Sequence, residues 1–232
     1  MHLVCDIIIT MMYKERGKRM VAACDNLKDV AYKYIKQQIL DCEFIPGQKI
    51  YEKQIAEKMD IGRTPVREAL IRLENENLVE IFPRKGMCTK QITRTDVMEL
   101  FQIRKILEPT VAVKYKRHID KNILLEYEDK FHSFLTPTES DAKFYSTDIA
   151  FHIFIMESTE NTTLINFYKS MMQTQYRIGI YSVMQNHNNI RSKTVEEHSQ
   201  MIKAILLEDD EKIEKTVLSH INSSLISALE TI

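Results

Sequence analysis

Glycine and proline are scarce in these 232 residues, five of each. A chain of short strands joined by tight turns needs many more of both, so an all-β fold is excluded. Cysteine is limited to Cys5, Cys24, Cys42 and Cys88, with no C-x-x-C pair. That pattern excludes a disulfide-stapled scaffold and reads as free thiols in a reducing cytosol. No apolar run approaches the roughly 20 residues of a membrane-spanning helix. The opening run of Ile7, Ile8, Ile9, Met11 and Met12 follows Asp6 and precedes Lys14, Arg16, Lys18 and Arg19. This is the reverse of a secretory signal, so a cytoplasmic protein without a membrane partner is expected. Excess charge is also missing. A net charge of −1 excludes a protein that coats nucleic acid through bulk positive charge.

What remains is an ordinary globular composition, 44% hydrophobic and 28% charged, able to bury a core. Lys, Glu, Leu, Ile and Met fill long stretches without a breaker, so a mainly α fold is expected. Residues 1–25 are set aside as an extension, either flexible or the result of a start at Met12 or Met20. Residues 26–93 carry 12 basic and 10 acidic side chains, and residues 94–232 carry 16 and 20. This mild polarity fits a nucleic-acid contact made by a few placed residues in a first domain, followed by a separate second domain.

In the first domain, Val30, Tyr34, Ile35 and Ile39 predict an amphipathic helix over 27–40, ended by Phe44-Ile45-Pro46-Gly47. A second helix is predicted over 51–59, with Ile55 and Met59 inward and the small Ala56 at a close crossing. Asp60-Ile61-Gly62 interrupts the pattern. Arg63-Thr64-Pro65 then opens a third helix, with Thr64 as cap and Pro65 at the first helical position. Val66, Leu70 and Leu73 form its buried stripe. Arg63, Thr64 and Arg67 fall on the other side near the N-terminus, where a recognition helix meets base edges and phosphates. Strand-like runs at 78–82 and 87–92 flank Pro83-Arg84-Lys85-Gly86, a hairpin with a basic tip. Three helices and such a hairpin predict a winged helix-turn-helix. Its DNA-contact candidates are Lys53, Arg63, Thr64, Arg67, Arg84, Lys85 and Gly86. Lys53 reads equally as a solvated surface residue.

These residues carry a resemblance. Pro46-Gly47, Ile55-Ala56 and the run GRTPVREALIRLENENLVEI at 62–81 resemble the GntR family of bacterial regulators. Two positions depart from that pattern. Asp60 stands where glycine is usual; aspartate tolerates a left-handed backbone, so the turn should survive. Gly62 replaces Ser or Thr, which removes a hydroxyl contact to phosphate.

The second domain has no strand pattern. Six helices are predicted, over 94–118, 121–135, 140–158, 162–186, 191–208 and 210–231, forming a bundle. Asp148 and His152 lie on the inward stripe of Tyr145, Ile149 and Met156. His198 shares a face with Met201, Ile202 and Ile205, and Ile213, Val217 and Ile221 bracket His220. A buried carboxylate is costly unless paired or bound to a cation. One Asp and three imidazoles suit a divalent metal, and Asp148 and His152 are neighbours at i, i+4. Each His read alone is better taken as a hydrogen-bonded core residue, which is the expectation kept for His118, His132 and His187. Arg104 shares an inward stripe with Val97, Leu100, Leu107 and Val111. It needs an anion, either Glu108 one turn on or a ligand carboxylate.

This half resembles the FCD sensor domain of FadR-type GntR regulators, with six helices suggesting the VanR-like subgroup. The matching pieces are RKILEP at 104–109, which holds Arg104 and Glu108, DIAFH at 148–152, Asn161, EEH at 196–198 and His220. The resemblance implies that Asp148, His152, His198 and His220 hold a divalent metal, zinc first, with nickel, manganese or iron as alternatives. It implies a small organic acid as effector, with Arg104 and Glu108 at its site. Asn161 reads as a helix cap. The expectation is a homodimeric regulator of a double-stranded DNA operator, not an enzyme. The alternatives are a metal-dependent hydrolase and a metal sensor without an organic effector.

Overall fold

The computed structural model describes residues 26–136, 139–185 and 190–232. The extension at 1–25 and His187 lie outside the described residues. The chain divides into two compact units, one up to Gln91 and one from Ile92.

The first unit holds α1 (Leu27–Leu40), β1 (Lys49–Ile50), α2 (Glu52–Met59), α3 (Arg63–Asn75), β2 (Val79–Phe82) and β3 (Gly86–Thr89). Ala31, Ile35 and Ile39 of α1 pack with Ile55 and Ala56 of α2 and Val66, Leu70 and Leu73 of α3. Each fully buried aliphatic chain contributes about 1.5–3 kcal/mol, so this one cluster holds the three helices together. The inward face of α1 is led by Ala31 rather than Val30, because a small residue admits α3 closely. Tyr34 and Met59 sit at the core's edge.

The turn between α2 and α3 forms as expected. Asp60 takes φ +54°, ψ +46°, a left-handed conformation that aspartate adopts at modest cost. The cap of α3 differs from expectation. The helix starts at Arg63 with Gly62 as N-cap and no side-chain cap, which makes Thr64 the second and Pro65 the third helical residue. Pro65 is still unpenalised, since the first-turn N–H groups have no intrahelical acceptor.

The sheet is three-stranded, order β1-β3-β2, and antiparallel throughout. The hairpin is legible in the sequence, but β1 is not: two residues carry no periodicity. Buried Thr89 ties β1's turn to β3, its hydroxyl donating to Ile45 O at 2.5 Å and accepting from Gln48 N at 3.0 Å. Pro83–Lys85 turn the hairpin, with Arg84 at φ +64° and Gly86 at φ +100°. Gly86 serves that backbone angle rather than a close approach, since a Cβ there would meet nothing within 4 Å.

The second unit is all-helical: α4 (Arg94–Tyr115), a 3-10 turn (Lys116–His118), α5 (Lys121–Ser133), α6 (Asp141–Glu157), α7 (Thr162–Met184), α8 (Ile190–Leu206) and α9 (Asp210–Thr231). Six α-helices among the described residues match the six expected. Side chains start several of them. Thr93 and Asp96 form a capping box on α4, and Asp120, Ser140, Asn161 and Asp209 cap α5, α6, α7 and α9. α9 packs along α4 and α8, and α6 along α7 and α4. The inward face of α4 is Val97, Leu100, Phe101, Arg104, Glu108 and Val111, with Leu107 only half-buried.

Candidate functional site

In the first unit, Arg63, Thr64 and Arg67 are exposed on the first turns of α3, and Arg84, Lys85 and Gly86 are exposed at the hairpin. Lys53 is exposed on α2 and pairs with Glu57 at 3.7 Å, while Arg67 pairs with Glu52 at 3.8 Å. Pairs so long and so exposed are worth about 0–1 kcal/mol, so neither holds its cation against a phosphate. With Gly62 as N-cap, the first N–H groups of α3 carry no side-chain partner, which leaves a ready anion contact.

In the second unit, α6, α8 and α9 bring Asp148, His152, His198 and His220 together. All four are buried, and one donor atom from each lies within 4.8 Å of the others. Three imidazole Nε2 atoms face inward. His152 Nε2 is 3.1 Å from His220 Nε2 and 3.4 Å from His198 Nε2. Asp148 Oδ1 is 3.3 Å from His198 Nε2 and 3.9 Å from His152 Nε2. A tetrahedral zinc shell with bonds of about 2.0–2.1 Å has donor–donor edges of about 3.3 Å, so the set can accept such an ion. The protonation supports this. His198 is held well below 6.5 by burial, then by the neighbouring His220, His152 and Arg104. Burial likewise lowers His220, partly offset by its hydrogen bond to Glu197. With the proton on Nδ1, such neutral rings point their Nε2 lone pairs at one another, an arrangement that a cation relieves.

Around the donors lies a second ring of polar groups. Arg104 donates from Nε to Glu108 Oε1 at 2.5 Å and from Nη2 to Oε2 at 3.4 Å. The internal ion pair therefore forms. Arg104 Nη2 also lies 3.4 Å from His152 Nε2, and its buried Nη1 has no hydrogen-bond partner. Burial alone would raise the Glu108 carboxyl, but the charge of Arg104 outweighs it and holds the group well below the usual carboxylate range. Tyr168 on α7 donates to Glu108 Oε1 at 2.7 Å, and His220 Nδ1 meets Glu197 Oε2 at 3.1 Å.

Sequence reasoning missed Tyr168 and Glu197. Tyr168 had no signal, since its partner lies 60 residues away. Glu197 stood in view beside His198, but nothing in the pattern shows which ring it reaches. His118 and His132 are exposed rather than core residues. His118 falls in the 3-10 turn, and His132, at the end of α5, meets Ser199 Oγ at 3.2 Å. Asn161 caps α7, accepting from Leu164 N.

A winged helix-turn-helix followed by a helical bundle with a buried polar cluster is the architecture of a DNA-binding regulator. Residues 27–88 match the gntR family of bacterial regulatory proteins and residues 99–223 match the FCD domain. The chain belongs to the GntR family of transcriptional regulators, in the branch that carries an FCD domain. It is 25% identical over 214 residues to the Uxu operon regulator of Haemophilus influenzae, covering 84% of this chain and 79% of that protein. It is 22% identical over 192 residues to the transcriptional repressor RspR of Escherichia coli, 82% of this chain and 83% of that one. Among solved structures, a GntR regulator from Rhodococcus superposes with TM-score 0.75 at 18% identity, covering 88% of this chain and 97% of that one. Escherichia coli McbR/YncC gives 0.72 at 17% identity, with 89% and 98% covered. These relatives are regulators rather than enzymes, and the hydrolase alternative falls with that.

Proposed function

We propose that this chain represses or activates transcription as a cytoplasmic homodimer, with a small organic acid controlling its grip on operator DNA. Arg63, Thr64 and Arg67 enter the major groove, where arginine reads guanine edges bidentately. Lys53 and the bare N-terminus of α3 meet phosphates, and Arg84, Lys85 and Gly86 carry the wing to the backbone or minor groove. Two chains present two recognition helices to the halves of a near-palindromic operator.

In the second domain, residues 94–232, Asp148, His152, His198 and His220 hold a divalent metal, zinc first, then nickel, manganese or iron. Bound there, the ion supplies an electrophilic anchor for a carboxylate. The observation that carries this reading is the Arg104 guanidinium, whose Nη2 lies 3.4 Å from His152 Nε2 in the four-donor cluster and whose buried Nη1 has no hydrogen-bond partner. A guanidinium next to a divalent cation is repulsive unless an anion lies between them. Arg104 therefore orients one end of the effector, and Glu108 and Tyr168 hold Arg104 in place. The effector shifts the DNA-binding equilibrium only by its difference in affinity for the two states.

Operator binding measured at fixed salt across a panel of small carboxylic acids tests both halves. Arg67→Ala should weaken specific binding by about 10- to 100-fold, the worth of one bidentate base contact. Asp148→Asn should keep operator binding and lose the response to acid. Unchanged affinity in the first variant would sink the recognition-helix assignment. A full acid response in the second would sink the metal-linked effector site.

A further inference from the structure

Two carboxylates lie just outside the four-donor set, and their role rests on the metal reading already proposed. Glu197 stands on α8 immediately before His198, so one helical step places an imidazole in the cluster and a carboxylate behind a neighbouring ring. Its Oε2 lies 3.1 Å from His220 Nδ1. Glu108 Oε2 lies 2.9 Å from His152 Nδ1, but off the ring's N–H direction, so no hydrogen bond forms there. Glu108 is also held by Arg104 and Tyr168. His198 has no such support. Its Nδ1 is buried without a hydrogen-bond partner, and its ring stacks on Phe131 with centroids 4.2 Å apart.

We propose that Glu197 is a positioning residue for the divalent cation. By accepting the Nδ1 proton of His220 it makes Nε2 the lone-pair donor, locks the ring's rotation and raises the basicity of Nε2. Carboxylate–imidazole–metal arrays act in this way, and loss of the outer carboxylate lowers metal affinity by about 10- to 100-fold. The competing role for Glu197 is a surface ion pair with Lys193. That contact is 3.9 Å long and Lys193 is 67% exposed, so it is worth little. The Glu197 side chain is only 15% exposed, which turns it toward His220 rather than toward solvent.

The test uses the full chain, stripped of metal. Zinc affinity is measured by competition with a chromophoric chelator, and cobalt(II) loading is followed by its visible absorption. Glu197→Gln, which keeps the shape but does not fix the tautomer, should bind zinc about 10- to 100-fold more weakly and shift the cobalt bands. Its metal-free circular dichroism should match the parent. Lys193→Ala should match the parent throughout. Glu197→Asp, which keeps the charge one carbon further back, should recover part of the loss and serves alone if the Gln variant does not fold. Parental zinc affinity and cobalt bands in the Gln variant, or equal losses for Asp and Gln, would overturn the role of Glu197 while leaving the metal site standing. A parent that binds neither zinc nor cobalt would overturn the metal reading itself.

Discussion

At His220 two demands meet on one ring: Nε2 faces two other imidazoles and Nδ1 faces a carboxylate. Both are met only by the neutral ring with its proton on Nδ1. Burial enforces that neutrality here and at His198, holding both below 6.5. Just below 6.5 the unfolded chain takes up protons that the folded chain refuses, so stability rises with pH in that window and levels off above it. The melting temperature of metal-free protein should therefore be flat above about pH 7 and fall as the pH drops toward about 5.5. A flat profile across the whole range would mean that the rings are solvated or already charged. Arg104 and Glu108 obey the same logic with opposite charges. Each is buried, and each is tolerable only because the other is there.

At the level of elements, the ligand-bearing helices are set by close approaches rather than by hydrophobic bulk alone. Gly179 on α7 is the clearest case, since a Cβ built there would overlap the Tyr145 ring of α6. The ring lies across the α7 backbone, and α6 thereby holds Asp148 and His152 at their depth. Gly179→Ala sets two effects against each other. Helix propensity favours alanine by about 1 kcal/mol, while overpacking a closed contact costs about 1–3 kcal/mol. The second should win, and the variant should lose stability in denaturant titrations. In a Tyr145→Ala background the clash is gone, and the same substitution should become stabilising by up to about 1 kcal/mol. Additive effects would show that the contact does not set the spacing.

For the whole molecule, the decisive feature is that two units each carry their own core. The winged unit is held by the apolar cluster from Ala31 to Val79. The helical unit has buried charge and four unquenched donors at its centre. A ligand that binds only the native form stabilises it by RT ln(1 + [L]/Kd), about 2.7 kcal/mol at a hundredfold excess over Kd. Calorimetry with and without zinc should therefore raise the transition of residues 92–232 and leave that of the winged unit in place. A shift of both by the same amount would mean that the two units unfold as one.

Local pattern was enough for much of this protein. Apolar spacing located the helices within two or three residues, because a 3.6-residue period survives any packing that buries one face. The turn at Asp60 and the basic hairpin were readable for a similar reason: left-handed backbone and tight loops are decided by the residues that occupy them. Periodicity also put Asp148 and His152 on one inward face. It could not bring His198 and His220 to them, nor choose Glu108 over a ligand as the partner of Arg104. β1, Tyr168 and Glu197 were likewise beyond it. A hydrogen bond between helices depends on depth and rotation, which one strand of sequence does not encode locally and only the packed bundle settles.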